Sequence, residues 1–405
     1  MRNIAVILGT RPEAIKLAPV IRALQEDPRF NPVVVSTGQH GYMLDETLRA
    51  FGLEPDVDLK IMMPRQTLAQ VTHRALSGLE EHLGPIEAEA VIVHGDTATT
   101  LAGALAGFHH GLPVIHVEAG LRSGDLYSPF PEESNRRLVA QIATLHLAPT
   151  PGNSANLIRE GIDPTTIVVT GNTVIDALRW ASKHADGYGN PALDDLDADP
   201  RRVVIASAHR RESWEHLPQI AAALVAIAEE PDVRVVVPLH CNPVVREAMV
   251  PVIGDHPNIT IVHPMPYLNF CRLMARADII VSDSSGAEEE GPAFGKPTLV
   301  LREVTERPEA ITAGTARLVG RTTEGIVGEA SRLLRDKDHY TQMSTASSPY
   351  GDGLAAERTV AAIAHFFDGG YAVLPFVPGS GVDLLSFELA DAVDLGADAA
   401  ALSRA

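Results

Sequence analysis

Short runs of Val, Ile and Leu alternate with longer stretches of helical periodicity along this chain, and the series runs through twice. Residues 3–8, 32–36, 90–94, 113–117 and 145–148 read as strands buried on both faces. A parallel sheet covered by helices needs such unbroken apolar runs, whereas a half-exposed sheet would show strict alternation. The series restarts at residues 202–206 and continues through 233–237, 259–262, 278–281 and 297–301. Strand–helix alternation of this kind leaves few topologies open, and it predicts two doubly wound α/β domains. Residues 181–201, rich in Gly, Pro and Asp, are the predicted connection between them. Helical periodicity returns over 354–367, ahead of an Ala-, Gly- and Asp-rich tail.

At 405 residues the chain exceeds what one hydrophobic core organises, in keeping with two domains and a cleft between them. Two cysteines, Cys241 and Cys271, are too few for a disulfide framework and lack the spacing of a zinc site, so a reducing cytoplasm is expected. No apolar run is long enough to span a bilayer, and no membrane partner is expected. A formal charge of −19 disfavours a nucleic-acid surface, which needs clustered Lys and Arg. An anionic ligand must then meet a local positive pocket.

The residues at the predicted strand ends carry the chemistry. Gly9-Thr10-Arg11-Pro12-Glu13 marks a strand-to-helix turn, where backbone N–H groups and a helix N-terminus attract anions, and Arg11 and Lys16 would add positive charge. A plain glycine turn with a surface arginine fits the same residues. Gly-x-Gly-x-x-Gly is absent here, and Gly291-Pro292-Ala293-Phe294-Gly295-Lys296-Pro297 has Pro where a P-loop has Ser or Thr, so nicotinamide and P-loop chemistry lose ground. Ligands of open α/β sheets bind outside the strands' carboxyl ends, which directs Asp96 and Glu118 to one crevice. Asp96 would serve equally as the N-cap of a helix starting at Thr97. Pro131-Glu132-Glu133 opens another helix, where acidic residues complement the dipole whether or not they react. His209, beside Arg210 and Arg211, favours phosphate contact or proton transfer. In Asp283-Ser284-Ser285-Gly286-Ala287-Glu288-Glu289-Glu290, small residues would let helix N–H groups reach a diphosphate, with Glu290 a turn deeper to accept from ribose hydroxyls. Ser285 with Glu288 also reads as a capping box.

Taken in order, these motifs resemble the non-hydrolysing UDP-N-acetylglucosamine 2-epimerase family, from Gly9-Thr10-Arg11-Pro12-Glu13-Ala14-Ile15-Lys16 through Gly171-Asn172-Thr173 to Pro349-Tyr350-Gly351-Asp352-Gly353. The resemblance implies a glycosyltransferase-B-like pair of Rossmann-like domains, residues 1–175 and 176–353. A last helix near 354–368 would return to the first domain, a variable tail would occupy 369–405, and the enzyme would be a homodimer. Asp96, Glu118, Glu132 and His209 match the family's catalytic positions. Arg11, Lys16, Phe270, Ser284, Ser285, Gly286, Glu290 and Arg307 match its contacts to the UDP-sugar, with no metal and no cofactor. The implied reaction interconverts UDP-N-acetylglucosamine and UDP-N-acetylmannosamine by elimination and re-addition of UDP through 2-acetamidoglucal. A hydrolysing epimerase, a 2-epimerase of a related acetamido sugar nucleotide, a glycosyltransferase and a non-catalytic nucleotide-sugar sensor are the competing readings. Ser285 and Glu288 depart from the family's usual Gly and Gln.

Overall fold

Strand β1 (Arg2–Leu8) is fully buried from Ile4 to Leu8, because helices cover both faces of the sheet at whose centre it lies. The computed structural model of the protein describes residues 1–305, 307–370 and 373–379, with the backbone alone at Ser285. The first sheet is wholly parallel and runs β3 (Val57–Asp58), β2 (Phe30–Ser36), β1, β4 (Ala90–His94), β5 (Val114–Val117), β6 (Leu145–Ala148), β7 (Ile167–Val169). Val6 stands opposite Val34 on one side and Ile92 on the other, which fixes the register at the centre. The second sheet repeats the scheme as β10 (Ile259–Val262), β9 (Val233–Pro238), β8 (Arg202–Ser207), β11 (Ile279–Ser282), β12 (Thr298–Val300), β13 (Ala316–Leu318). Both orders are those of two Rossmann-like, doubly wound sheets. Each reverses direction beside its first strand, at β1/β4 and at β8/β11, and so opens a crevice outside the strands' carboxyl ends.

The strands at 3–8, 32–36, 90–94, 113–117, 145–148 and their five counterparts in the second half are present within two residues of the expected bounds. Strands β3, β7 and β13 are additions at sheet edges, two or three residues long and only partly buried, too short for either periodicity to register.

Apolar packing joins the halves. Helix Arg11–Glu26 buries Ile15, Leu17, Val20, Ile21 and Leu24 in a core that also takes in Val300, Ala310 and Ala316 from the second sheet's side. Phe51 stacks on Trp180 at 5.1 Å between ring centroids and lies 6.0 Å from Tyr267, so three aromatic rings tie the two halves together. The connection at 181–201 is no loose linker: Leu193 and Leu196 are fully buried, and Arg234 of β9 reaches Asp195 at 2.9 Å and Asp199 at 3.0 Å. Helix Ala355–Asp368 lies against Arg11–Glu26 and against Thr173–His184. Its first turn is held by the Ala356 N–H, which donates to the Asp176 carboxylate at 2.8 Å. Beyond it, the Phe376 N–H donates to the Val169 carbonyl at 2.8 Å. The rest of the tail expected at 369–405 falls outside the described residues. No helix among the described residues is long and apolar enough to cross a membrane.

Candidate active site

The site is built on the turns that follow β1, β4 and β5. At Gly9 a Cβ would stand 2.2 Å from both Thr37 Oγ1 and Thr99 Oγ1, so the turn after β1 requires glycine. The buried Glu13 carboxylate then accepts the Gly9 N–H at 3.0 Å and the Thr10 N–H at 2.7 Å. Its other oxygen accepts the hydroxyls of Thr97 at 2.8 Å and Thr100 at 3.0 Å. One carboxylate therefore locks the end of β1 to the end of β4. Thr97, not Asp96, is the N-cap of helix Ala98–His109, its side chain accepting the Thr100 N–H. That removes the capping alternative for Asp96. Its carboxylate turns into the cleft and meets Arg136 Nη2 at 2.5 Å.

Glu118 follows β5 with φ +62°, in the left-handed region that non-glycine residues adopt at a penalty of about 1–2 kcal/mol. Strain of this kind persists only where surrounding contacts impose it. Here the carboxylate forms an ion pair with Lys16 from the first helix, and His94 Nε2 lies 3.6 Å away. Burial alone would push the Glu118 carboxyl up, yet the Lys16 ammonium, with the neighbouring His94 ring, holds it well below the usual carboxylate range. Burial pulls the Lys16 ammonium down in turn, and the pull of Glu118 and Glu289 more than offsets it. His116, within the same motif, is structural. Its Nε2 is 2.8 Å from the Gly95 carbonyl, and burial drives the ring down to about 3, so it stays neutral.

The second sheet supplies the facing wall. Helix Ser285–Ala293 has Ser284 at its N-cap position without a side-chain cap bond, while the buried Glu288 accepts the Thr305 hydroxyl; the capping box expected of Ser285 with Glu288 rests on a side chain outside the described part. Glu289 pairs with Arg307 Nε, and its charge, ahead of burial, raises the guanidinium further above its ordinary value. Burial, with a smaller contribution from Glu289, pushes the Glu290 carboxyl up to about 8.

Lys16, Asp96, Glu118, Glu132, Arg136, Glu289 and Arg307 line one cavity of about 830 Å³. Five of the residues marked in the sequence are thus brought together: Lys16, Asp96, Glu118, Glu132 and Arg307. Arg11, His209, Phe270, Ser284, Gly286 and Glu290 stand outside its lining. Arg11 is exposed at the start of the first helix, its N–H 3.4 Å from His40 Nδ1. His209 follows β8, stacked on His240 with 5.4 Å between centroids. Phe270 packs against the core formed by Tyr188, Val262 and Cys271. Gly286 lies in the first turn of helix Ser285–Ala293 with the Glu290 carboxylate, one turn on, beside it, and the Ser285 side chain is outside the described part. Among the described residues no group of three His, Cys, Asp or Glu side chains is placed to hold a metal ion.

A local positive pocket was the expectation for an anionic ligand, and the cavity brings together cations and carboxylates. Lys16, Arg136 and Arg307 each face a carboxylate, namely Glu118, Asp96 and Glu289. Sequence reasoning did not mark Arg136, and it left Glu13 and Glu289, both within quoted motifs, without a role in the site. Arg136 had a usable signal, since it sits one helical turn after Glu132 and so shares its face. Glu289 had none, because its partner is 18 positions away on another element.

The sequence matches the UDP-N-acetylglucosamine 2-epimerase family over residues 22–364. The UDP-N-acetylglucosamine 2-epimerase of Escherichia coli (strain K12) is 46% identical over 369 residues, covering 89% of this chain and 98% of the relative. That of Bacillus subtilis (strain 168) is 47% identical over 360 residues, covering 88% and 94%. The structure of the UDP-GlcNAc 2-epimerase from Neisseria meningitidis bound to UDP-GlcNAc is similar with a TM-score of 0.77 at 41% identity, covering 90% of this chain and 99% of that one.

Proposed function

The chain belongs to the UDP-N-acetylglucosamine 2-epimerase family, and from that premise we propose that it interconverts UDP-N-acetylglucosamine and UDP-N-acetylmannosamine without net hydrolysis. The observation that carries this reading is the convergence of three carboxylates, Asp96, Glu118 and Glu132, with Lys16 and Arg307 in one cavity. Inversion at C2 needs a base on one face of the sugar ring and an acid on the other, while the diphosphate needs cations as it departs.

In the forward step a carboxylate takes the C2 proton, the C–H electron pair forms the C1–C2 double bond, and the C1–O bond breaks with its electrons passing to UDP. The products held in the cleft are 2-acetamidoglucal and UDP. In the return step the β-phosphate oxygen adds to C1 and a proton reaches C2 from the opposite face. Asp96, Glu118 and Glu132 handle the protons as a set. Arg307, Lys16 and the helix start at Ser284 to Gly286 receive the diphosphate, with Arg11 reaching it from the first domain. A Cβ at Gly286 would have its closest neighbour, Ser284 Oγ, at 3.6 Å, so packing does not require the glycine and a close backbone approach by the ligand does. Phe270 and Glu290 hold the nucleoside, and His209 meets the sugar-diphosphate as the two domains close over it.

The charge-balanced cleft gives this chemistry an order. An incoming diphosphate takes Lys16 from Glu118 and Arg307 from Glu289, so Glu118 becomes more basic only once nucleotide is present. Incubation with UDP-N-acetylglucosamine in deuterated water, followed by NMR, tests the proposal. UDP-N-acetylmannosamine carrying deuterium at C2 is expected. Free N-acetylmannosamine with UDP, or epimerised product that keeps its protium, would overturn it.

A further inference from the structure

We propose that Asp283 is the positioning residue for His209, holding both its backbone and its ring. The inference rests on the assignment of His209 to the epimerisation site. Asp283 closes β11 and is fully buried. Its Oδ2 accepts the N–H groups of His209 and Arg210, each at 2.9 Å, so one carboxylate oxygen fixes the chain that leaves β8. The two strands are adjacent, with Ser207 opposite Ser282, which is why residues 74 positions apart meet here.

Asp283 Oδ1 is buried without a hydrogen-bond partner and lies 3.6 Å from His209 Nδ1. A carboxylate oxygen shut away from water requires a donor. The ring is the group within reach: its side chain retains 40% of its exposure, and a small swing brings Nδ1 to hydrogen-bond distance. His240, stacked at 13° to the His209 ring, leaves it free to swing in its own plane while resisting a flip. Asp283 therefore sets the proton on Nδ1 and leaves Nε2 as the unprotonated nitrogen. This tautomer can accept a proton, or contact the diphosphate once protonated. The charged and titratable groups facing the ring are Asp283, His240 and Arg210. Burial, ahead of the others, lowers the His209 ring's pKa, Asp283 opposes that shift, and His240 and Arg210 add to it.

The substitution Asp283→Asn separates positioning from mere support. Its carbonyl oxygen can keep the two backbone bonds, while its amide puts a donor where Nδ1 needs an acceptor. The nitrogen resonances of His209, assigned by their absence in His209→Gln, report the tautomer directly. The neutral ring is expected to carry its proton on Nδ1 in the native protein and on Nε2 in Asp283→Asn. The same change is expected to lower kcat by at least about tenfold, with UDP affinity altered less than about threefold. An unchanged tautomer in the variant, or an Nε2-protonated ring in the native protein, would overturn the proposal. The native measurement still decides should the variant fail to fold. Full turnover by His209→Gln would refute the assignment of His209 to the site and leave the tautomer result standing as a separate answer.

Discussion

Arg136 Nη2 stands 2.5 Å from Asp96 Oδ2, joining the helix that opens at Glu132 to the turn that follows β4. The guanidinium also lies 3.4 Å from the buried Glu133, which accepts the Ser123 N–H at 2.9 Å. Arg136 therefore connects a structural carboxylate to one of the three proposed to handle protons. Replacing it with Met should lower turnover by about 10- to 100-fold, in line with coupling energies of roughly 1–3 kcal/mol for adjacent groups. Its effect should almost vanish in an Asp96→Asn background, since the arginine then has no carboxylate to steer. Equal losses in both backgrounds, measured as kcat, would show that Arg136 acts elsewhere.

Exchange of a carboxylate for its amide preserves size and removes basicity. Asp96→Asn, Glu118→Gln and Glu132→Gln should each reduce kcat by about 10²- to 10⁴-fold while UDP affinity moves only severalfold. Arg307→Ala should show the reverse pattern. Loss of charge-assisted bonds to the diphosphate weakens UDP binding by about 10- to 100-fold and leaves kcat far less affected. Steady-state kinetics with calorimetric titration of UDP checks both. Near-native turnover in all three amide variants would remove the carboxylates from the mechanism.

A third prediction concerns the joint between the domains. Burial pushes the Asp176 carboxyl up to about 7, against the pull of the helix N–H groups at Ala355 and Ala356. An unfolded aspartate loses its proton near pH 4. Between about pH 4 and 7 the folded chain holds a proton that the unfolded chain has released, so this group's contribution falls as pH rises through that window. Asp176→Asn keeps an acceptor for the Ala356 N–H and never ionises. It should match the native protein near pH 4 and exceed it above pH 7 by on the order of 4 kcal/mol. Thermal unfolding midpoints across pH 4.5–8 provide the test, and parallel curves for the two proteins would count against it.

What the sequence made legible follows from the range of each interaction. Burial of Ile4 to Leu8 on both faces leaves an unbroken apolar run that can be read without a fold, and so do the central strands β4, β8 and β9. Edge strands such as β3, with two residues, leave no run to read. The choice between Asp96 and Thr97 as cap turned on one residue of register, and Thr97 prevails because its hydroxyl also reaches Glu13. The ion pair of Lys16 and Glu118 spans 102 positions, so composition and spacing are silent about it, and only the adjacency of β1 to β4 and of β4 to β5 creates it. For that reason a cleft expected to be cationic turned out to be charge-balanced.

That same pair yields the last prediction. Lys16 and Glu118 are both largely buried, with side chains 15% and 13% exposed, so each depends on the other for a countercharge. The pH profile of kcat/KM reports groups of the free enzyme. In the native protein Lys16 is still on Glu118 in that state, and the carboxylate, held well below its ordinary range, should stay ionised down to pH 5 and lower. Lys16→Met removes the dominant opposing charge, leaving burial to push the carboxyl upward, and a base with a raised pKa is increasingly protonated as pH falls. The variant should therefore show an acid limb, with kcat/KM dropping as pH falls from 7 to 5, where the native enzyme shows none attributable to Glu118. Its UDP affinity should also fall by about 10- to 100-fold, because the diphosphate loses a charge-assisted partner. Adding Glu118→Gln to Lys16→Met must abolish the new limb if Glu118 is the titrating group. A limb that survives the second substitution, or a profile that does not move in Lys16→Met, would show that this ion pair does not govern the basicity of the site.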